Sequence, residues 1–582
     1  MLHRMIVAIV VFNAVTFSLL ATGNGTASAQ GADAAIYSAR DRMHPVFAAN
    51  AMVATQEAIA TRIGVDILQA GGNAVDAAVA IGFALAVTLP RAGNLGGGGF
   101  MLIHHAQSNT THALDYREMA PAAATHAMFL APDGSVDKRD ARFSHRSAGV
   151  PGTVAGLTKA LSTFGSMPLK QVMAPAIKLA RDGIIVTRDL ADSLRSRAKR
   201  LQRNAESARV FFKADGSAYA VGERLVRKDL ARSMQLIADH GAAVFYTGEI
   251  GARIVSDMQT NGGLIRGADL ANYAVKWRAP VFGTYRGHVI ASIPPPSSGG
   301  VHLVQILNVL EGFPLGFLGH NSADTIHLLA ESMKLAYADR ARHLGDSDFT
   351  PVPVQGLTSK SYAAVLRERV DQRSARASSS IAAGQPGAHE SNETTHFSIM
   401  DAAGNVVSNT YTINFSYGSG ITVPGTGILM NNEMDDFSAK PGVANAYGLV
   451  GAQANAIEPG KRPLSSMTPT IVFHEGKPLL ATGSPGGSRI ITTTAQVIMN
   501  VVDHQMNIAE AVAAPRIHHQ WLPDELRVES GLSADTVSAL RERGHKVIEK
   551  NAMGSANSVM RSSAGFVGTA DPRRRGALAA GY

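Results

Sequence analysis

Apolar positions change their spacing at a few sharp places along the chain, and those places predict its elements. Between Ala58 and Pro90 they recur at helical intervals in two blocks. Gly71-Gly72 ends the first block, and Asn73 stands where it caps the second, AVDAAVAIGFALAVTL. That second block is apolar nearly all round, which predicts a helix buried on every side. Past NLGGGGF (94–100) the spacing drops to every other residue, so MLIHHA and THALDYREM read as strands. The glycine run could cradle a phosphate, but no G-x-x-x-x-G-K-[ST] follows it, and close backbone packing or a turn is the expected role. Residues 150–390 carry mixed helical patterns, broken by the rigid turn IPPPSSGG (293–300).

Strict alternation returns at TTHFSIM, where Thr395, Phe397 and Ile399 alternate with Thr394, His396 and Ser398. DAAGN (401–405) is a hairpin loop, with Gly404 free to take a positive φ, and VVSNTYTIN comes back as the second strand. Pairing Met400 with Val406 places Thr394 across from Thr412. One face then carries Thr394, His396, Ser398, Ser408, Thr410, Thr412 and Asn414, and the other carries Phe397, Ile399, Val407, Tyr411 and Ile413. The apolar face belongs to a core, and the polar face belongs at least in part to chemistry. Directly upstream, residues 371–393 are rich in Ser, Ala and Gly and read as an exposed, mobile tether.

The chain opens with His3 and Arg4, an apolar run and the triplet Ala27-Ser28-Ala29, the pattern of a cleavable secretory signal over 1–29. An uncleaved membrane anchor is the alternative, but the run is short and has no stop-transfer flank. A periplasmic or secreted protein is expected, free of the membrane once the signal is removed. Cysteine is absent, which excludes disulfides, zinc-thiolate sites and a thiol nucleophile. A formal net charge of +8 over 582 residues is modest. The basic stretch RSRAKRLQR (195–203) has no interleaved aromatic residues, so it reads as a solvated helix face and not as a nucleic-acid surface.

A threonine hydroxyl is a poor nucleophile unless a base lies beside it. A free α-amine on the same residue, with a pKa of about 7.7–8.0, is such a base. Cleavage of the Glu393–Thr394 bond would supply that amine, and the Thr394 hydroxyl can cut that bond itself through an ester intermediate. Thr412, across the hairpin, would orient the hydroxyl. A threonine pair at a strand start also has a plain reading as β-propensity.

The surrounding motifs favour the chemistry. DYREMAP (115–121), TTHFSIMD, NNEMDDFSAKPG (431–442), KRPLSSMTPTIV (461–472), TGSPGGSRI (482–490) and HHQWLPDELRVE together resemble γ-glutamyltranspeptidases, members of the N-terminal nucleophile hydrolases. The resemblance runs in order from about residue 40 to Tyr582. It implies an α/β fold of the four-layer αββα sandwich type, formed jointly by a large subunit (30–393) and a small catalytic subunit (394–582) that stay together as a heterodimer. It implies γ-glutamyl transfer and hydrolysis without a cofactor, from glutathione or related compounds to water, amino acids or dipeptides. Thr394 matches the nucleophile and Thr412 its support. Gly486 and Gly487 match the oxyanion hole. Arg117 matches the residue that grips the substrate α-carboxylate, a task suited to a planar guanidinium. Asn414, Glu433 and Asp436 match contacts to its α-amino group, and Ser465 and Ser466 match further contacts to the carboxylate.

Some readings stay open. SPGGS alone is a turn, Asp435-Asp436 alone is a solvated pair, and Arg117 alone could be a structural ion pair. His518-His519 suggests a metal, but adjacent histidines on a strand point to opposite faces. Relatives often carry Gln where this chain has Glu393 and Glu433. The segment 438–451 is similar to a lid loop, with Tyr447 in place of its gating aromatic. A cephalosporin (glutaryl) acylase of the same fold is the nearest alternative, and a periplasmic solute-binding protein with two lobes is a more distant one. No G-x-S-x-G elbow supports a serine hydrolase.

Overall fold

The computed structural model describes residues 42–385, 395–443, 445–446 and 448–582, so the expected signal segment and the expected cleavage site lie outside the described residues. Two helices form where the apolar spacing placed them, α1 over Ala58–Gln69 and α2 over Ala74–Thr88. Asn73 starts α2 with a reciprocal cap. Its side chain accepts from the N–H groups of Val75 and Asp76, and the Asp76 carboxylate accepts the Asn73 N–H at 2.8 Å. Donors that a helix start leaves unpaired are thereby satisfied. Every residue of α2 is buried.

Two seven-stranded sheets follow. The strands are β1 (Val46–Ala48), β2 (Met52–Thr55), β3 (Gly98–His105), β4 (Thr110–Tyr116), β5 (Lys276–Arg278), β6 (Val281–Tyr285) and β7 (His288–Ser292) in the first half. The second half adds β8 (Thr395–Met400), β9 (Val406–Thr412), β10 (Thr470–His474), β11 (Lys477–Thr482), β12 (Ser558–Ser562), β13 (Gly565–Thr569) and β14 (Leu578–Gly581). One sheet has the order β1-β13-β12-β11-β10-β7-β6 and the other β14-β2-β8-β9-β3-β4-β5. Strands β5 to β7, in a stretch read as helical, extend both sheets.

Three apolar clusters define the layers. Met52, Phe100, Leu102 and Met400 from one sheet meet Ile471, Ala481, Val559 and Phe566 from the other, which places the sheets face to face. On the outer face of the second sheet, Phe397, Ile399, Val407 and Tyr411 join the core of α1, α2, α3 (Thr153–Phe164), α4 (Leu169–Asp182) and α5 (Arg188–Leu201). Helices α6 (Gly299–Leu310), α7 (Ala323–His343) and α8 (Arg489–Val502) cover the first sheet through Ile290, Val472 and Leu480. Helix, sheet, sheet, helix is the expected αββα order.

The hairpin has the expected register, with Met400 opposite Val406 and Thr395 opposite Tyr411. Most of its polar face proves structural, because that face turns into the layer between the sheets. His396 meets Thr410 Oγ1 through Nδ1 at 3.0 Å and Ser398 Oγ through Nε2 at 2.8 Å, and burial lowers its pKa to about 3. Ser408 Oγ donates to the Thr482 carbonyl at 3.1 Å and accepts from Thr470 N–H at 3.0 Å. At the far end of the described part of this face, Thr412 and Asn414 border a cavity.

The segment read as a loose tether is, over residues 371–385, held to the body. Ser378 Oγ donates to Asp524 Oδ1 at 2.7 Å, and the Trp521 indole N–H reaches the carbonyls of both Ser378 and Ile381. Lys334 Nζ donates to the Arg376 carbonyl at 2.7 Å, and Ile381 is buried in the core. Composition suggested mobility because the anchoring donors come from residues far along the chain.

Candidate active site

Thr394, Glu393 and the lid's Tyr447 lie outside the described residues. Their neighbours define the site. Thr395 opens β8, fully buried, and its hydroxyl donates to Gln56 Oε1 at 3.0 Å. Thr412 closes β9; its Oγ1 accepts the Asn414 N–H at 2.7 Å, and its carbonyl accepts from Asn94 Nδ2 at 2.8 Å. The glycine run that leads into and opens β3 permits this approach. Gly98 pairs with Thr412, and a Cβ on Gly97 would stand 1.9 Å from the Thr412 carbonyl oxygen. Close packing, not phosphate, is what the four glycines serve.

Gln56, Thr412, Asn414, Pro485, Gly486 and Arg489 line a cavity of about 440 Å³. Gly486 and Gly487, at φ 138° and 63°, make the turn that leads into α8, and L side chains rarely adopt such angles. The turn is tied from behind. Tyr337 OH donates to the Ser488 carbonyl, and Ser488 Oγ donates to Gln520 Oε1 at 2.8 Å. The positive end of the α8 dipole therefore adjoins the cavity wall at Gly486, a favourable place for developing negative charge.

Beyond Asn414, whose side-chain amide donates to the Asn432 carbonyl at 3.0 Å, lies a buried charge cluster. Arg117 Nη1 meets Glu433 Oε1 at 2.5 Å and Glu118 Oε2 at 3.4 Å, and Nη2 meets Asp436 Oδ2 at 2.5 Å. Its Nε donates to the Pro463 carbonyl at 3.0 Å. Burial works against the guanidinium charge, but Glu433, Glu118 and Asp436 outweigh it and hold Arg117 above its ordinary pKa. Burial raises the carboxyls of Glu118 and Glu433, with Arg117 opposing, since one cation cannot offset three anions. Glu433 Oε2 and Glu118 Oε1 are buried without a hydrogen-bond partner. Neighbouring Asp435 is lifted to about 7 by burial despite its ion pair with Arg142 at 3.0 Å.

The structure thus joins Arg117 to Glu433 and Asp436 directly, and joins Thr412, Asn414 and Gly486 around one cavity. Ser465 and Ser466, both buried, follow Pro463, whose carbonyl binds Arg117. Ser465 Oγ accepts from Met467 N–H at 3.1 Å and Ser466 Oγ from Arg340 at 2.9 Å, while Ser298 N–H of the IPPPSSGG turn binds the Ser465 carbonyl. Sequence reasoning missed Glu118, Gln56 and Asn94. Glu118 had a readable signal: two opposite charges side by side within THALDYREM, a stretch that reads as a strand.

His518 and His519 each face side-chain partners of their own. His518 binds Thr492 Oγ1 and Gln520, and His519 faces Asp524 at 3.3 Å. A His327, Glu331, His545 cluster has the makeup of a metal site, but Lys334 Nζ already holds Glu331 Oε1 at 2.7 Å and the two imidazoles hydrogen-bond each other at 2.8 Å.

Two sheets packed face to face between helical layers, with a strand-end threonine and a glycine turn sharing one cavity, define a member of the N-terminal nucleophile hydrolase class. More narrowly, the chain belongs to the γ-glutamyltranspeptidase family, whose model matches residues 60–581. The glutathione hydrolase proenzyme of Escherichia coli K12 is 54% identical over 543 residues, 93% of either chain. The acylase ACY 1 proenzyme of Pseudomonas sp. SE83 is 41% identical over 511 residues, covering 87% of this chain and 88% of that one. The crystal structure of cephalosporin acylase from Bacillus halodurans superposes with a TM-score of 0.83 at 29% identity, covering 94% of this chain and 98% of the other.

Proposed function

We propose that this protein cleaves the γ-glutamyl amide of glutathione and related compounds and passes the acyl group to water or to the amine of an amino acid or short peptide. Thr394, directly before β8, is the nucleophile. Its own α-amine, freed by self-cleavage after Glu393, takes the hydroxyl proton as the hydroxyl attacks the γ-carbonyl carbon and later supplies a proton to the departing amine. Gly486 and Gly487 stabilise the oxyanion, and Thr412 orients the nucleophile. Residues 30–393 and 394–582 form the two subunits, and the site of action is the periplasm or the medium, reached through the signal segment.

The observation that carries this reading is the Arg117–Glu433–Asp436 cluster. An α-amino acid head bears one anion and one cation, so it can enter by exchange: its carboxylate takes the guanidinium and its ammonium takes the released carboxylates. The partnerless Glu433 Oε2 and Glu118 Oε1 are further acceptors for that ammonium. A glutaryl chain has no ammonium and would leave buried carboxylates uncompensated, at a cost of about 3–5 kcal/mol. The likeness to acylases keeps that second activity in view, and the cluster argues against it.

Comparing turnover of a γ-glutamyl anilide with that of a glutaryl anilide tests the choice. The γ-glutamyl compound should be preferred by at least about 100-fold. Preference for the glutaryl compound would reverse the conclusion.

A further inference from the structure

Helix α5 divides its charges unevenly. Its first half is spent internally: Arg188 meets Asp192 at 2.9 Å, Arg195 also holds Asp192, and Asp189 holds Arg91. Its second half is not. Arg197 donates to the Ser196 carbonyl at 3.3 Å, and among the described residues neither Arg197, Lys199 nor the following Arg203 has a carboxylate partner. All three are exposed.

These three side chains, with Arg142 and Arg200, line a groove of about 580 Å³ whose other walls are Phe143, Ser196, Phe415, Ser416 and Ala446. Among the described residues that border it, none is a carboxylate. Arg200 is fixed there by the Ser416 carbonyl and by the Phe143 ring 5.2 Å away, and Phe143 packs against Phe415 at 5.9 Å. Ser196, Arg197 and Ser416 also border the cavity that reaches Thr412 and Gly486. One depression therefore runs from the reacting centre to a basic trough with an apolar floor. The acids on the cavity side, Asp189 and Asp192, are the ones already held by arginines.

Building on the reading of the site as a γ-glutamyl transferase, we propose that this trough is an acceptor subsite that selects acidic peptides. The peptide amine enters the cavity, and carboxylates further along the peptide lie against Arg197, Lys199 and Arg203. In the transfer step the amine nitrogen bonds to the ester carbonyl carbon, the bond from that carbon to the Thr394 oxygen breaks, and the proton lost by the amine ends on that oxygen. No other reactant is needed. Continuity with the reacting centre favours a peptide over a membrane surface, which would need no path to Thr412.

The test uses the processed wild-type enzyme with a γ-glutamyl anilide as donor and two isosteric acceptors, Gly-Glu-Glu and Gly-Gln-Gln. Each exposed contact contributes a factor of about 1.4 to 5. The acceptor KM should therefore be about tenfold lower for the acidic peptide at low ionic strength. The preference should vanish near about 0.5 M salt, where screening is strong, and in the R197Q/K199Q/R203Q variant. Equal KM values in the wild type, or an acid preference that the triple variant retains, would overturn the proposal. Equal KM values together with anionic-vesicle binding that the variant loses would assign the trough to a lipid surface instead. Anilide turnover without acceptor reads the catalytic centre separately: its absence in the wild type would overturn the reading of the centre and the acceptor role with it, while its presence beside equal KM values overturns the trough alone.

Discussion

Arg117 and Glu433 share a fully buried ion pair at 2.5 Å, although 316 positions of sequence separate them. Zero exposure penalises the guanidinium charge, and the pair with its Asp436 and Glu118 neighbours outweighs that penalty. Because the guanidinium fork holds Glu433 and Asp436 through different nitrogens, a lysine would keep the charge and lose the geometry. Arg117→Lys should raise the KM for a γ-glutamyl anilide at least about tenfold with a smaller change in kcat. An unchanged KM would remove Arg117 from donor binding.

Thr394→Ala should remain a single uncut, inactive chain, seen by intact-mass spectrometry, whereas Thr394→Ser should still be cut, more slowly. Fragments beginning at residue 394 in the alanine variant would refute self-cleavage.

Glu433→Gln relaxes a cluster in which three carboxylates surround one guanidinium. The folded-state pKa of Glu433 is raised by burial, so its favourable contribution is complete below the unfolded value and is lost as pH rises through the folded value. The Tm of the variant relative to wild type should therefore climb as pH rises above the ordinary carboxylate range. A gap that stays level over that rise would mean Glu433 titrates normally. Donor KM should rise a few-fold, from the loss of one anion facing the ammonium.

Gly487→Ala places a Cβ at φ 63°, a strain of about 1–2 kcal/mol. If the turn forms the oxyanion hole, kcat of the processed fraction should fall about 10- to 100-fold with KM near wild type. A KM effect without a kcat effect would point to donor binding instead.

What could be read from sequence was local. The Asn73 cap, the all-buried α2 and the register of β8 against β9 follow from spacing and turn chemistry within a few residues of each feature. Strand β5 was missed because its burial is partial, Lys276 and Trp277 both being exposed, so no apolar alternation marks it. The hold on residues 371–385 was hidden for another reason: its donors sit at Lys334 and Trp521, and no composition window spans them. The site was legible as a set of motifs through family resemblance, yet the closed contact of Arg117 with its three acids was not, since charge neutralisation across the fold leaves no trace in spacing.

The strand order β14-β2-β8-β9-β3 interleaves segments from before and after position 394. Were the chain cut there, each product would be laced into the other by main-chain hydrogen bonds on both sides of β2. Neither fragment could diffuse away, and halves from different molecules could not trade places without complete unfolding. Every mature enzyme would thus carry the two products of its own precursor for life, and a lesion in either one would condemn both.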